Sequence, residues 1–412
     1  MAHPMSEYRS LTIALVSETF PPEINGVAMT LGRLVEGLAQ RGHQVQVVRC
    51  RRPEETPLIP PSGISHVPLA SLPIPRYQGL RLGLPARGRL RTLWSENRPD
   101  LVHVATEGPL GRSAQAIALE LGIPHSSSFH TNFDDYARHY RIGWLRGIVA
   151  RSLMRFHNRA RLTMVPSIDL IDRLRKAGYQ SLVPLGRGVD TKLFDPALRD
   201  QGLRQSWGAG PEDQVYIHVG RVAPEKDIPL ALEAFRRIRA IDRRARMVVA
   251  GDGPLRKNLA QQHPDVLFTG ALPLAELARH YASADVFLFP SQSETFGNVL
   301  LEACASGLTT VSFDYAAPKA YITHDDNGLL APFGNQSAWL SVAESIADDR
   351  ARCARLRRAA RATAETIGWD AVIDRFEGYV RQVVDAPATP GFARHAMSLH
   401  RLFVTPSQQD GR

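Results

Sequence analysis

Short apolar runs alternate with longer amphipathic segments along most of the chain. "LTIALVS" at 11–17, "VQVVRC" at 45–50, "LVHVA" at 101–105 and "LTMVPS" at 162–167 are rich in β-branched residues and bounded by polar or turn residues. Runs of this length and composition predict buried strands. Between them, residues 26–41, 111–122 and 167–178 read as helices. The last two end at Gly122 and Gly178, where a left-handed cap costs little. Such alternation predicts a parallel sheet covered by helices, the doubly wound α/β class. "GRGVDTKLFDPALRD" at 186–200 interrupts the pattern with turn residues. A second strand series follows in "VYIHVG", "ARMVVAG", "VLF", "DVFLFP" and "TTVSF", with helices such as 228–240 between. The expectation is two Rossmann-like domains, residues 1–195 and 196–365, facing a cleft. In such sheets ligands bind beyond the carboxyl ends of the strands. Trp369, Val372, Ile373, Phe376, Tyr379, Val380 and Val383 are helically spaced, predicting a helix within 366–385 that crosses back to the first domain. The composition then turns to Pro, Thr, Ser and Gln, predicting a loosely packed tail at 386–412.

Composition adds limits. With 412 residues, 44% of them apolar, the chain has material for two cores. The formal charge of +9 favours anionic partners without choosing among nucleic acid, phosphorylated small molecules and an acidic membrane surface. Cys50, Cys304 and Cys353 are widely spaced and odd in number, which excludes a disulfide framework and suits a reducing compartment. The apolar run at 11–16 is too short for a signal peptide, and no stretch approaches the ~20 apolar residues of a spanning helix. A cytoplasmic protein, soluble or peripheral on the inner face of the cytoplasmic membrane, is expected.

The candidate chemistry lies at predicted strand ends. "ETFPPEINGVAMTL" leads from the first strand into a helix at Gly26, where a glycine lets the backbone approach an anion and the helix start offers N–H groups. The G-x-G-x-x-G fingerprint of an ordinary dinucleotide dehydrogenase is absent there. In "HVGRVAPEKDIPLAL", Arg221 and Lys226 flank a strand-to-helix turn and suit a diphosphate, the alternative being surface charge. "VVAGDGPLRKNL" sets Gly251, Asp252 and Gly253 in tight backbone that lines a flat base or is merely a turn. In "FPSQSETFGNVLLEACASG" a helix begins near Gly297 and Asn298. Glu294 then sits in the loop and Glu302 more than a turn into the helix, with unpaired helix-start N–H groups between them. Two acceptors flanking an anion site match a sugar nucleotide: sugar hydroxyls, diphosphate, ribose hydroxyls. The competing readings are a first-turn acid favoured by the helix dipole and a solvated Glu302. The apolar neighbours of Glu302, Leu301 and Ala303, fit the solvated reading poorly. Asp134–Asp135 and Asp325–Asp326 are adjacent pairs without D-x-D spacing, so no metal site is expected.

The segment at 141–162, "RIGWLRGIVARSLMRFHNRARL", sets Trp144, Leu145, Ile148, Val149, Leu153 and Phe156 on one helical face. Arg141, Arg146, Arg151, Arg155 and Arg159 crowd the rest, with no acid among them. A basic amphipathic helix with an aromatic reads as a membrane-surface or acceptor-side element. The alternative is a core-facing helix with a basic outer side.

"ETFGNVLLE" resembles the E-x7-E motif of the retaining family-4 glycosyltransferases, which have the GT-B fold. "FHTNF", "GVDTKLFDP", "GRVAPEKD", "AGDGP", "FTGALP" and "NGLLAPFGN" match the family in order, so the resemblance covers most of the chain. It implies that Gly26 approaches the donor diphosphate, that Arg221 and Lys226 bind it and stabilise the leaving group, and that Glu294 holds the sugar and Glu302 the ribose. Backbone at Phe296, Gly297 and Asn298 would add contacts, and Gly253 and Leu272 would flank the base. His130, by residue type alone more often structural, becomes a donor-sugar contact near the anomeric centre. "HTNFDDYARHY" looks closest to the family's lipid-glycosylating branches, which include enzymes acting on diacylglycerol and phosphatidylinositol. Two departures stand out. Asn25–Gly26 replaces the paired glycines of many members, and "FDYAAPKAYI" at 313–322 replaces a G-G-x-x-E segment, with Lys319 and no glutamate.

The resulting expectation is a metal-independent retaining hexosyltransferase with no cofactor. It would use a UDP- or GDP-linked sugar and a membrane-lipid acceptor. The alternatives are a polysaccharide or small-molecule acceptor, an epimerase or phosphorylase of the same architecture, and a non-catalytic sugar- or nucleic-acid-binding protein. No nucleic-acid motif supports that last reading.

Overall fold

The computed structural model describes residues 9–23, 25–52, 61–74, 81–130, 143–294 and 297–387, with backbone alone at 143–146. Over these residues the chain forms two compact units. The first holds residues up to Gly186 and those from Ile373 onward, and the second holds Arg187–Val372.

The sheet of the first unit is parallel. Its strands are β1 (Thr12–Ser17), β2 (Gln44–Cys50), β3 (Ile64–Leu69), β6 (Leu101–Val104), β7 (His125–Ser128), β8 (Leu162–Val165) and β9 (Leu182–Pro184). They run in the order β3-β2-β1-β6-β7-β8-β9, while β4 (Ser71–Pro73) and β5 (Arg81–Gly83) form a separate antiparallel pair. β1 is central, with Ile13 opposite both Val45 and Leu101. Helices α1 (Gly26–Gln40), α2 (Arg87–Glu96), α3 (Pro109–Glu120), α4 (Gly143–Arg159) and α5 (Ile168–Lys176) join the strands. Ala14, Val16, Val102 and Val104 pack with Trp94, Leu110 and Ile117 in one core cluster. Each such large side chain taken from water contributes about 1.5–3 kcal/mol. Gly122 and Gly178 adopt φ of 64° and 93°, the left-handed caps that their positions after helices predict.

β7 reads His-Ser-Ser-Ser yet is wholly buried. Its three serines are satisfied internally, as burial demands. His103 pairs through Nδ1 with Ser126 Oγ and through Nε2 with Ser128 Oγ, both at 2.9 Å. Ser127 Oγ meets His157 Nδ1 at 3.0 Å and Thr163 Oγ1 at 2.9 Å.

The second unit has a sheet in the order β12-β11-β10-β13-β14-β15. Its strands are β10 (Val215–Val219), β11 (Arg246–Ala250), β12 (Leu267–Gly270), β13 (Val286–Phe289), β14 (Thr309–Phe313) and β15 (Leu329–Ala331). Helices α6 (Gln201–Ser206), α7 (Ile228–Ile241), α8 (Arg256–Gln262), α9 (Leu274–Ser283), α10 (Asn298–Ala305), α11 (Ala317–Tyr321), α12 (Gln336–Glu344) and α13 (Arg350–Glu365) accompany it. Successive strand residues point to opposite faces. Tyr216 accordingly joins a cluster with Phe235, Leu288, Phe313 and Trp339, and Ile217 one with Tyr281, Phe287 and Leu301.

By compactness the chain divides between Gly186 and Arg187, a few residues before the boundary expected after residue 195. The turn-rich segment belongs to the second unit because Val189 N–H bonds Ile367 O at 3.0 Å and Phe194 is buried in that unit's core. A Cβ on Gly188 would lie 2.8 Å from Trp369 Cα, so this junction needs glycine. Helix α14 (Trp369–Asp385) enters the first unit at Ile373. There Phe376 meets His103 edge-on at 5.0 Å, and Arg161 donates to Val383 O at 2.9 Å. Most of the expected tail lies outside the described residues. Among the described residues no helix is long and apolar enough to cross a membrane.

Candidate functional site

In the second unit the chain runs from β10 outward through β11 on one side and through β13 on the other, so the strand order reverses between β10 and β13. The loops leaving neighbouring strands diverge at such a point and open a crevice at the carboxyl edge. The loop after β10 carries Arg221 and Lys226, and the loop after β13 carries Glu294. They meet there: Lys226 Nζ donates to Glu294 Oε1 at 2.5 Å, the side chains 20% and 12% exposed. Behind them Arg187 is buried and donates through Nη1 to Asn298 Oδ1 at 3.1 Å. Burial pulls the Arg187 pKa down to about 10, against the opposing charge of Glu294. Glu294 thus lies under the influence of two cations. Arg221 differs: its side chain is 63% exposed and pairs with Glu225 at 3.2 Å. A pair so exposed is worth little, so the guanidinium is easily redirected to an anion.

Local sequence explains these positions. Pro224 opens a 3-10 turn, Pro224–Lys226, and Asp227 ends it in the left-handed region at φ 49°. That conformation is costly for a residue with a side chain. Asp227 Oδ2 accepts from Gln292 at 3.3 Å and Gln336 at 3.1 Å, tying the β10 loop to the β13 loop and to α12. His218 on β10 donates from Nδ1 to Leu288 O at 2.9 Å, and burial holds it neutral with a pKa of about 4. The loops after β10 and β11 pack backbone to backbone, Val222 N–H bonding Asp252 O at 2.9 Å and Leu255 N–H bonding Val222 O at 3.1 Å. A Cβ on Gly253 would collide with the Val222 carbonyl, so the glycine is required by this packing, whatever its backbone offers a base.

Helix α10 begins at Asn298 after Gly297, whose φ is 98°, with no side-chain cap and no acid in its first turn. Its first N–H groups are the donors expected between the two acids. Glu302, half-buried on this helix, accepts from the Tyr281 hydroxyl at 3.2 Å. Burial pushes its pKa up to about 7. Leu272 is half-buried against the cluster that contains Tyr281 and Leu301. Phe296 lies outside the described residues. Arg221, Lys226, Gly253, Leu272, Glu294, Gly297, Asn298 and Glu302 all belong to this one unit. Sequence reasoning missed Arg187, Asp227 and Tyr281. For Arg187 the signal was an arginine between two glycines in "GRGVD"; for Tyr281 nothing local distinguishes it from core.

In the first unit the order reverses between β1 and β6. Gly26 starts α1 there, but the free N–H groups expected behind it are already used. Asn25 Oδ1 accepts from Val27 N at 3.1 Å and Ala28 N at 2.9 Å. The residue that replaces a paired glycine is therefore an N-cap. Glu18 accepts from Leu110 N at 3.0 Å, and burial raises its pKa to about 7. His130 is half-buried and follows Phe129 just beyond β7. On α4, Leu153 and Phe156 are buried in the unit's core, Ile148 is 57% exposed, and Arg151 and Arg155 are exposed. The single apolar face expected to meet a membrane is thus divided, its C-terminal half turned inward. The side chains of Trp144 and Arg146 lie outside those described. Among the described residues no group of three or more His, Cys, Asp or Glu is placed to hold a metal ion.

Comparison with known proteins bears on this arrangement. Residues 24–193 match the family described as Glycosyltransferase Family 4, and residues 200–363 match Glycosyl transferases group 1. A GDP-mannose-dependent alpha-mannosyltransferase of Mycolicibacterium smegmatis is 32% identical over 91% of this chain and 98% of its own. The sulfoquinovosyl transferase of Arabidopsis thaliana is 31% identical over 89% of this chain and 73% of its own. Among solved structures, the sucrose-phosphate synthase of Thermosynechococcus elongatus superposes with a TM-score of 0.74 at 20% identity, covering 92% of this chain and 100% of that one. Two doubly wound units, the paired motifs at their strand ends and these similarities agree: the chain belongs to glycosyltransferase family 4 and is a hexosyltransferase of the GT-B fold.

Proposed function

We propose that the protein moves a hexose, with retention and without a metal ion, from a nucleoside-diphosphate sugar to a hydroxyl of a membrane lipid at the inner face of the cytoplasmic membrane. The observation that carries this reading is the Lys226–Glu294 pair at the β10/β13 reversal, with Arg221 beside it. Lys226 and Arg221 neutralise the charge that develops on the departing diphosphate, as fixed cations do at a transition state. Glu294, held by Lys226 and influenced by Arg187, accepts from hydroxyls of the donor sugar. Glu302 accepts from the ribose, and the uncapped start of α10 faces the diphosphate. His130 keeps the donor-sugar role that the family resemblance implies for it. Retention follows from attack on the face the diphosphate leaves: the acceptor oxygen bonds the anomeric carbon, the anomeric C–O bond to phosphate breaks, and the leaving phosphate oxygen takes the acceptor proton. The enzyme supplies positioning and charge, and no base of its own is required.

GDP-mannose is the first donor to test, because the 32%-identical relatives bear names dependent on it. UDP-hexose is the second. The lipid acceptor is favoured by relatives named for lipid products, such as the alpha-monoglucosyldiacylglycerol synthase of Acholeplasma laidlawii, 27% identical. The test is hexose transfer from GDP-mannose, UDP-glucose and UDP-glucuronate to diacylglycerol, phosphatidylinositol and glycosyl-diacylglycerol in mixed micelles. A glycolipid product from one donor and not the others is expected. Turnover only on soluble sugars or polysaccharide would overturn the lipid assignment.

A further inference from the structure

The first unit carries a second charged feature, among the helices that cover its sheet. A cavity of about 290 Å³ opens among α2, α3 and α4. Its wall includes Arg87 from α2, Arg112 from α3, and Arg155 and Arg159 from α4, with Gln115 and Ser152 between them and, among the described residues, no acid. The Arg112 guanidinium lies over the Phe156 ring, 5.6 Å from its centroid, and Arg112 Nε donates to Glu107 O at 3.0 Å. Gln115 is buried and donates through Nε2 to Phe156 O at 2.8 Å. The floor is therefore fixed, and the cations stand on it.

The nearest acids hydrogen-bond other groups and compensate the cluster only in part, Glu120 lying in the field of Arg87 and Glu18 in that of Arg112. Both Glu120 oxygens accept from Arg91, at 2.6 and 2.8 Å. Glu107 Oε1 is engaged by His157 Nε2 at 3.1 Å. Guanidinium groups gathered from three helices around one small concavity repel one another, and a bound anion relieves that repulsion. The volume is at the lower end of small-ligand sites, roughly 300 Å³. That accommodates one phosphate ester rather than a run of nucleotides.

We infer that this cavity is a phosphate-ester site, separate from the donor site, that seats the phosphodiester headgroup of an anionic bilayer lipid. It gives the basic side of α4 a discrete ligand, in place of insertion by an apolar face whose Leu153 and Phe156 are buried. The inference stands independently of which acceptor the enzyme uses.

The test measures binding of the full-length protein, with no activity readout. Three probes are compared: phosphatidylcholine vesicles containing phosphatidylglycerol, phosphatidylcholine vesicles made equally negative with oleate, and soluble glycerol phosphate. The variant Arg87→Ala/Arg155→Ala/Arg159→Ala removes cavity cations, while Arg89→Ala/Arg151→Ala/Lys176→Ala removes the same charge from exposed positions outside it. Preference for phosphatidylglycerol over oleate vesicles is expected. The cavity variant should lose about tenfold or more in affinity and the control less than about threefold. Binding of glycerol phosphate without vesicle preference, lost in the same variant, would support the phosphate site and assign its source to a soluble ester. Equal weakening in both variants, equal binding to oleate vesicles, or preference for a single-stranded oligonucleotide would overturn it. All six side chains are exposed, so unchanged melting temperatures are expected in both variants.

Discussion

Glu302 is the residue whose chemistry is most exposed to test. Burial raises its pKa from 4.5 to about 7, so its charged form is disfavoured in the folded protein. Such a group stabilises the fold fully below its unfolded value and loses that contribution as pH rises through the folded value. For the proposed ribose contact the sign is opposite. Ribose hydroxyls donate to the ionised carboxylate, so nucleotide binding favours loss of the proton. GDP or UDP affinity should therefore rise about five- to tenfold between pH 6 and pH 8, and Glu302→Gln should flatten the profile. Calorimetric titration at both pH values checks this, and an unchanged affinity would remove the ribose role. Glu302 was legible in the sequence because an acid between Leu301 and Ala303 contradicts its surroundings. Arg187 carries only the weak signal of an arginine between two glycines, because its burial and its bond to Asn298 arise from residues 111 positions apart.

At the scale of elements, the segment that departs from the family's G-G-x-x-E pattern has a physical cost. Ala316, just before α11, holds φ 56° and ψ −127°, a conformation suited to glycine. Strain of this kind costs roughly 1–3 kcal/mol, while a glycine adds about 0.4–1 kcal/mol of unfolded-state entropy and loses one buried methyl. Ala316→Gly should therefore stabilise the second unit by about 0.5–1 kcal/mol, read as a higher denaturant midpoint. A lower midpoint would contradict the strain.

Asp285 makes the reverse case. This buried carboxylate accepts from Arg199 and Arg357 at 2.9 Å, from Arg204 at 3.1 Å and from Val215 N at 2.9 Å. Asp285→Ala should cost about 3–5 kcal/mol, because three cations lose their common partner. A loss below about 1 kcal/mol, measured the same way, would show that they repack. The strong strands and the α10 boundary were legible from apolar runs and turn residues. The edge strands β3 and β9 were not, since each contains a proline, Pro68 and Pro184, which edges tolerate and patterns penalise. The polar strand β7 fits the strand expected from Pro124 to Phe129, though it lacks apolar patterning, because its buried partners, His103 and His157, come from elsewhere in the chain.

For the whole molecule, two sheets reverse their strand order at one point each, and the candidate chemistry gathers at the reversal in the second unit. The alternation of strands and helices made that architecture readable, while the boundary at Gly186 was set by backbone contacts that no local pattern encodes. The central claim is that cations on the β10 loop, with no metal ion, carry the leaving diphosphate. The most direct measurement is the single-turnover transfer rate with the accepted donor, with and without a strong chelator, for the wild type, Arg221→Ala and Lys226→Ala. A wild-type rate indifferent to chelator and a fall of ~10²-fold or more in each variant at unchanged melting temperature are expected. A rate abolished by chelator, or near-normal turnover in both variants, would contradict it.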